Sequence, residues 1–267
     1  MRTQPQFLKI IAFSSQTRQS LIQKSRLLIQ ILFVILFGQG TFAQDVRIDT
    51  LKFQSTFSPA PVQASELTFP IIKTGDRAID SLINTDLRNR FTDNEYSDLP
   101  ADSVLKRWAA GRIVELGFAI TYMADGLISL NISAEGCGAH CSSWTDHFTY
   151  STVTGRYISL NEIVDTSAKF RDLVIADRKK QYEEQRGELK KTLADKTSGL
   201  DDECYNWASK RYDECERSFK FGAFALFPDH LKIFENCDFP RAIRALTPVI
   251  ELRYRYRDIS NYLKIKQ

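Results

Sequence analysis

Residues 113–135, IVELGFAITYMADGLISLNISAE, decide the fold. Two runs, 113–123 and 127–135, mix apolar and polar residues at strand spacing on either side of Asp125-Gly126. Asp-Gly between such runs is a strong short-range hairpin signal, because both turn positions need a positive φ. A third strand is expected at 144–151, WTDHFTYS, and then TVTGRY as a turn into ISL (158–160). The centre of the chain therefore reads as an antiparallel meander.

Working upstream, TGDRAIDSLINTDLRNRF (74–91) places Ile79, Leu82, Ile83, Leu87 and Phe91 on one helical face. A shorter helix is expected from Asp102 to Ala110. Residues 44–56 alternate through Val46, Ile48, Leu51 and Phe53 and read as a first strand. FSPAPVQAS (57–65) is a linker, and ELTFPII (66–72) a short strand whose proline favours an edge or strand end.

Downstream, residues 161–198 are highly charged and helical by propensity, with a thin apolar stripe of Ile175, Tyr182, Leu189 and Leu193. A solvated helix or helical hairpin is the reading. DDECYNWASKRYDEC (201–215) continues as another helix. Strands return at 219–227, 231–235 and 249–256, followed by a short terminal helix. Antiparallel strands with segregated helices make an α+β protein. Two closely packed subdomains are expected, 44–150 and 151–267, the second carrying a charged helical insertion at about 168–215.

The first 43 residues read as a secretory signal. The apolar run LLIQILFVILF (27–37) follows five basic residues and no acid, and precedes Thr41 and Ala43 at a small-residue exit. Eleven apolar residues are short of the roughly 20 that span a bilayer. Taking those five away from 36 basic residues leaves 31 against 33 acidic, a net of −2 rather than the formal +3. No electrostatic footprint for nucleic acid remains. A periplasmic or secreted location is expected.

Export changes how the five cysteines are read, since an oxidising compartment favours disulfides. EGCGAHCSSWTDH (135–147) holds Cys137, Cys141, His140 and His147. A Cys137–Cys141 bridge would tighten the loop between two strands, and either cysteine could instead pair with Cys237. Cys204 and Cys215 share a helix face but lie about 16 Å apart in one continuous helix, too far to bond. One of them reaching Cys237 is the better pairing. The alternative is a metal centre of Cys137, His140, Cys141 and His147, which has suitable ligand types but crowds three ligands into five residues. A reactive Cys141 beside His140 is disfavoured, because sequence neighbours on an extended chain point to opposite faces. Asp146 and His147 near Ser142 and Ser143 have the residue types of a hydrolase triad without a nucleophile elbow. No cofactor motif is present.

Several segments occur in a recognisable order. FPIIKTGDRAIDSLINTDLRNRF comes first, then GAH (138–140) and FTYSTVTGRYISLNEIV (148–164). FALFPDHLKIF and TPVIELRYRYRDISNYL (247–263) close the chain. This order resembles the paired extracytoplasmic domains of the RsiV/PdaC type, found in a lysozyme-sensing anti-sigma factor and as the non-catalytic part of a peptidoglycan deacetylase. The resemblance runs from about residue 48 to 264, apart from the charged helical stretch. It implies an α+β fold and a binding or sensing role in the cell envelope. The two thiols flanking GAH depart from the pattern. On this reading the chain is a non-enzymatic envelope protein that binds a lysozyme-like protein or a cell-wall ligand, with Gly138, Ala139, His140 and Trp144 as the candidate surface. The competing readings are a cell-wall hydrolase or metal- or thiol-dependent enzyme centred on 137–147, and a scaffold whose insertion docks a partner.

Overall fold

A computed structural model describes residues 46–55, 66–111, 113–138, 141–235 and 237–265. The expected signal segment, Ala139 and His140 lie outside them. Strands β1 (Arg47–Gln54) and β2 (Glu66–Lys73) pair antiparallel, Arg47 opposite Lys73 and Gln54 opposite Glu66. Helix α1 (Arg77–Phe91) follows, started by Asp76, whose carboxylate accepts from the Ala78 and Ile79 amides. Helix α2 (Ala101–Ala109) leads into the meander β3 (Ile113–Ala124), β4 (Leu127–Cys137) and β5 (Cys141–Ser151). Asp125 and Gly126 both take positive φ, 54° and 72°, as the turn requires.

The short helix α3 (Leu160–Ile163) replaces the strand expected at 158–160. A capping box between Ser159 and Glu162 starts it, and β pairing on this side is reduced to one bridge, Tyr150 to Tyr157. Helices α4 (Ala168–Ala194) and α5 (Asp202–Arg217) form the charged hairpin. The C-terminal sheet is β6 (Phe224–Leu226), β7 (His230–Ile233) and β8 (Leu252–Arg255), shorter than the sequence predicts. Arg241–Leu246 and Ser260–Tyr262 are 3₁₀ turns, the latter in place of the expected terminal helix. No helix among the described residues is long and apolar enough to cross a membrane.

Residues Asp45–Gln267 make one unit containing three hydrophobic clusters. The first joins α1, α2 and the β1–β2 pair to one face of the meander, through Ile83, Leu87, Leu105, Leu130, Ile132 and Tyr150. Leu82, expected on the buried face of α1, is exposed. The second lies among α4, β6, β7 and β8, and Tyr122 and Leu127 from the β3–β4 turn pack against it. The third sits between α4 and α5 around Tyr182, Leu189 and Tyr212.

Two polar features join these clusters. Ser129 on β4 and Thr149 on β5 stand opposite each other on the second face of the meander, fully buried. Thr149 donates to Ser129 Oγ (3.0 Å), which accepts from the Leu226 amide (3.1 Å), tying β6 across the sheet. Arg178 lies on the inner face of α4, 1% exposed, with Glu235 at 8%. Its Nε and Nη2 donate to the two carboxylate oxygens at 2.7 and 2.6 Å. The remaining donors reach the carbonyls of Glu216 and Cys215 at the end of α5, and Tyr182 donates to Glu235. The helix expected to be solvated is therefore anchored by a buried guanidinium, whose paired carboxylate and four hydrogen bonds are what make that burial tolerable.

Candidate functional site

The meander order is β3-β4-β5, so β5 has one unpaired edge. Its pairing with β4 runs without a register shift from Leu127–Ser151 to Cys137–Cys141. The edge is closed at one end, where the Ile158 amide donates to the Thr149 carbonyl (2.8 Å) and the Ser151 amide to the Arg156 carbonyl (3.0 Å). It ends at the hairpin tip, where Cys137 and Cys141 are joined by a disulfide across a Cα–Cα distance of 3.9 Å. Between these closures, Ser143 to His147 border a groove of about 880 Å³. The opposite wall comes from Phe219, Lys220, Phe234 and Glu235.

Strand alternation sends successive side chains to opposite faces. Trp144 and Asp146 share the face that buries Phe148 and Tyr150. The Trp144 ring meets Trp108 of α2 edge-on at 6.0 Å and is 36% exposed. Gly136 makes room for it: a Cβ there would lie 3.3 Å from Ile113 and 3.4 Å from the indole. Burial, and then the nearby Asp93 carboxylate, push the Asp146 carboxyl above its ordinary range.

His147 points to the other face. It stacks on Phe234 with centroids 3.5 Å apart and planes 10° from parallel. The Lys232 ammonium sits 5.4 Å from the far ring centroid of Phe234. Burial, and then the charge of Lys232, lower the His147 pKa to about 4. The imidazole is thus neutral at physiological pH, and its Nδ1 has no hydrogen-bond partner.

This geometry revises the chemistry read from 135–147. Of the four-ligand set Cys137, His140, Cys141 and His147, His140 lies outside the described residues and the other three are engaged elsewhere. Both sulfurs are bonded to each other and offer no thiolate, and His147 is committed to Phe234. The same bond removes Cys141 as a nucleophile. Asp146 and His147 lie on opposite faces of β5, so they form no catalytic pair. Cys215 and Cys237 make the second disulfide, at a Cα–Cα distance of 5.6 Å, and Cys204 is free. Trp144 and Gly138 are exposed at this end of the molecule. The far wall of the groove, and the Arg178–Glu235 pair beneath it, have no local signature. The one available hint is the i, i+4 spacing of Val174, Arg178 and Tyr182, which sets a charge on an apolar stripe.

The perturbed histidine has a measurable consequence. Unfolded histidine takes up a proton near about 6.5, whereas folded His147 does so only near about 4. Between those values the unfolded chain binds more protons, so stability falls as pH drops through that window. Urea unfolding at pH 7 and pH 4.5 is expected to show a smaller loss in His147→Gln than in the parent. An equal loss in both would refute the assignment.

No family model and no curated protein matches the sequence. Two DUF3298 family proteins are among the solved structures that align with this chain. A member of the DUF3298 family, of unknown function, from Pseudomonas aeruginosa PAO1 aligns at TM-score 0.47 and 12% identity, over 82% of this chain and 94% of its own. A DUF3298 family member from Bacteroides fragilis aligns at TM-score 0.54 and 14% identity over the same shares. At that identity the likeness is one of fold: this chain has an α+β architecture similar to that of a DUF3298 protein.

Proposed function

We propose that this chain is an exported, non-enzymatic binding protein of the cell envelope, taking a lysozyme-like protein or a cell-wall ligand in the groove beside β5. The observation that carries the reading is the groove itself. An unpaired strand edge, the exposed Trp144 and the carboxylate of Asp146, which makes no ion pair among the described residues, all border one concavity. Protein-binding surfaces are enriched in such aromatic anchors. The RsiV/PdaC resemblance points to the same class of ligand. The basic-then-apolar N-terminal sequence and two disulfides favour an oxidising compartment outside the cytoplasm.

The test measures binding of the full chain to lysozyme by interferometry and to purified peptidoglycan by co-sedimentation. Saturable binding to one of them is expected, weakened about tenfold or more by Trp144→Ala, with no soluble fragments released from the wall. Release of fragments in proportion to added protein would replace this reading with the hydrolase one. Binding indifferent to Trp144→Ala would move the recognition surface elsewhere.

A further inference from the structure

We infer that the edge of β5 between Ser143 and His147 is a strand-addition site for an extended, basic segment of a partner protein. The inference rests on the reading of this groove as a recognition surface and adds how the partner is held.

The backbone argument comes from phase. Thr149 and Ser151 direct their carbonyl and amide away from β4, to Ile158 and Arg156. In an antiparallel strand, residues two apart direct these groups the same way. The pairing with β4 has no bulge. Ser143, Thr145 and His147 therefore also aim their N–H and C=O groups outward, along the groove. None of the three has a backbone partner there among the described residues. The open stretch spans about 13 Å, at roughly 3.3 Å per residue, enough for a short strand. Strand addition would satisfy these groups and draw affinity from main-chain hydrogen bonds.

Charge selects the occupant. Asp146 and Asp93 make no ion pair with any described residue, and the Asp93 carboxylate raises the cost of charging Asp146. Trp144 stands beside Asp146 on the same face. A lysine or arginine on an added strand, directed to that face, would meet an indole and two carboxylates. Residues alternating with it would face the other side, where His147 lies flat on Phe234 and offers apolar surface. The expected ligand thus alternates basic and apolar residues. A second copy of this chain fits poorly, since edge-to-edge pairing would gather four carboxylates on one face.

The experiment pans a phage-displayed random nonapeptide library on the full chain and measures synthetic hits by fluorescence anisotropy. Enrichment of lysine or arginine at alternate positions is expected. Thr145→Pro should weaken binding about tenfold or more, because it removes an outward N–H while leaving the pairing with β4. N-methylation of the peptide should block binding at alternate amides only, which tests the same point if the proline variant does not fold. Asp146→Lys should shift the preference toward acidic peptides. Binding unaffected by Thr145→Pro in a folded protein, or by N-methylation at every position, would overturn strand addition and leave the groove as a side-chain site. Failure to enrich peptides, with Trp144-dependent binding of lysozyme or peptidoglycan intact, would overturn this inference alone. Loss of both would overturn the two together. A concentration-dependent dimer abolished by Thr145→Pro would assign the edge to a second copy instead.

Discussion

Arg178→Ala is expected to destabilise the protein by about 3–5 kcal/mol, the usual cost of removing one partner from a buried ion pair. The guanidinium is 1% exposed and Glu235 8%. Truncation leaves a buried carboxylate held, among the described residues, only by the Tyr182 hydroxyl at 3.1 Å. It also takes a donor from the carbonyls of Glu216 and Cys215, the latter keeping its bonds from Ser218, and strips a cation from the Phe219 ring, 4.1 Å away. The double variant Arg178→Met with Glu235→Leu removes both charges and should recover much of the loss, because two desolvation costs disappear together. Urea unfolding of the two variants measures this. A loss below about 1 kcal/mol for Arg178→Ala would show the pair to be hydrated and outside the load path.

Removing the Cys215–Cys237 disulfide, by Cys215→Ala with Cys237→Ala, is expected to cost about 3 kcal/mol. The bridge closes a sequence separation of 22 residues, and the chain-entropy account assigns about that much to a loop of this size. Both sulfurs also sit in the third hydrophobic cluster beside Tyr212 and Phe239, so alanine leaves some lost packing as well. The Arg178 guanidinium donates to the Cys215 carbonyl. The two perturbations share that anchor and should not add: their combined loss should differ from the sum by more than about 0.5 kcal/mol. The Cys137–Cys141 bridge spans only 4 residues and its loss should cost less. Equal losses from the two bridges would argue against the loop-entropy account here.

Much of the fold was legible because its signals are local. Asp125-Gly126 set the meander turn, and the 3.6-residue spacing of Ile79, Ile83, Leu87 and Phe91 marked α1. Three features resisted such reading. The strand expected at 158–160 gave way to α3 because the Ser159–Glu162 capping box satisfies the first amides locally. The stripe of Ile175, Tyr182, Leu189 and Leu193 looked too thin to pack. It missed Phe170, Val174 and Arg178, which are buried, while Ile175 is 40% exposed. FKFGAFALF shrank to Phe224–Leu226 because only that piece meets β7, leaving Phe219 and Gly222 to line the groove.

The candidate site divides in the same way. Trp144 and the cysteine-flanked hairpin tip could be singled out from sequence, because a loop between two strands with two thiols is a local pattern. Local sequence also determined the α+β class, the order of the principal elements and the number of sulfurs available for bonding. Tertiary structure alone decided which cysteines pair, which edge of the meander stays open, and which charge on α4 is buried. Each of those depends on contacts between residues far apart in the chain, such as Arg178 with Glu235 or Ser129 with Leu226. No window of local periodicity contains both partners, and the free energy that selects them arises only once the clusters have closed.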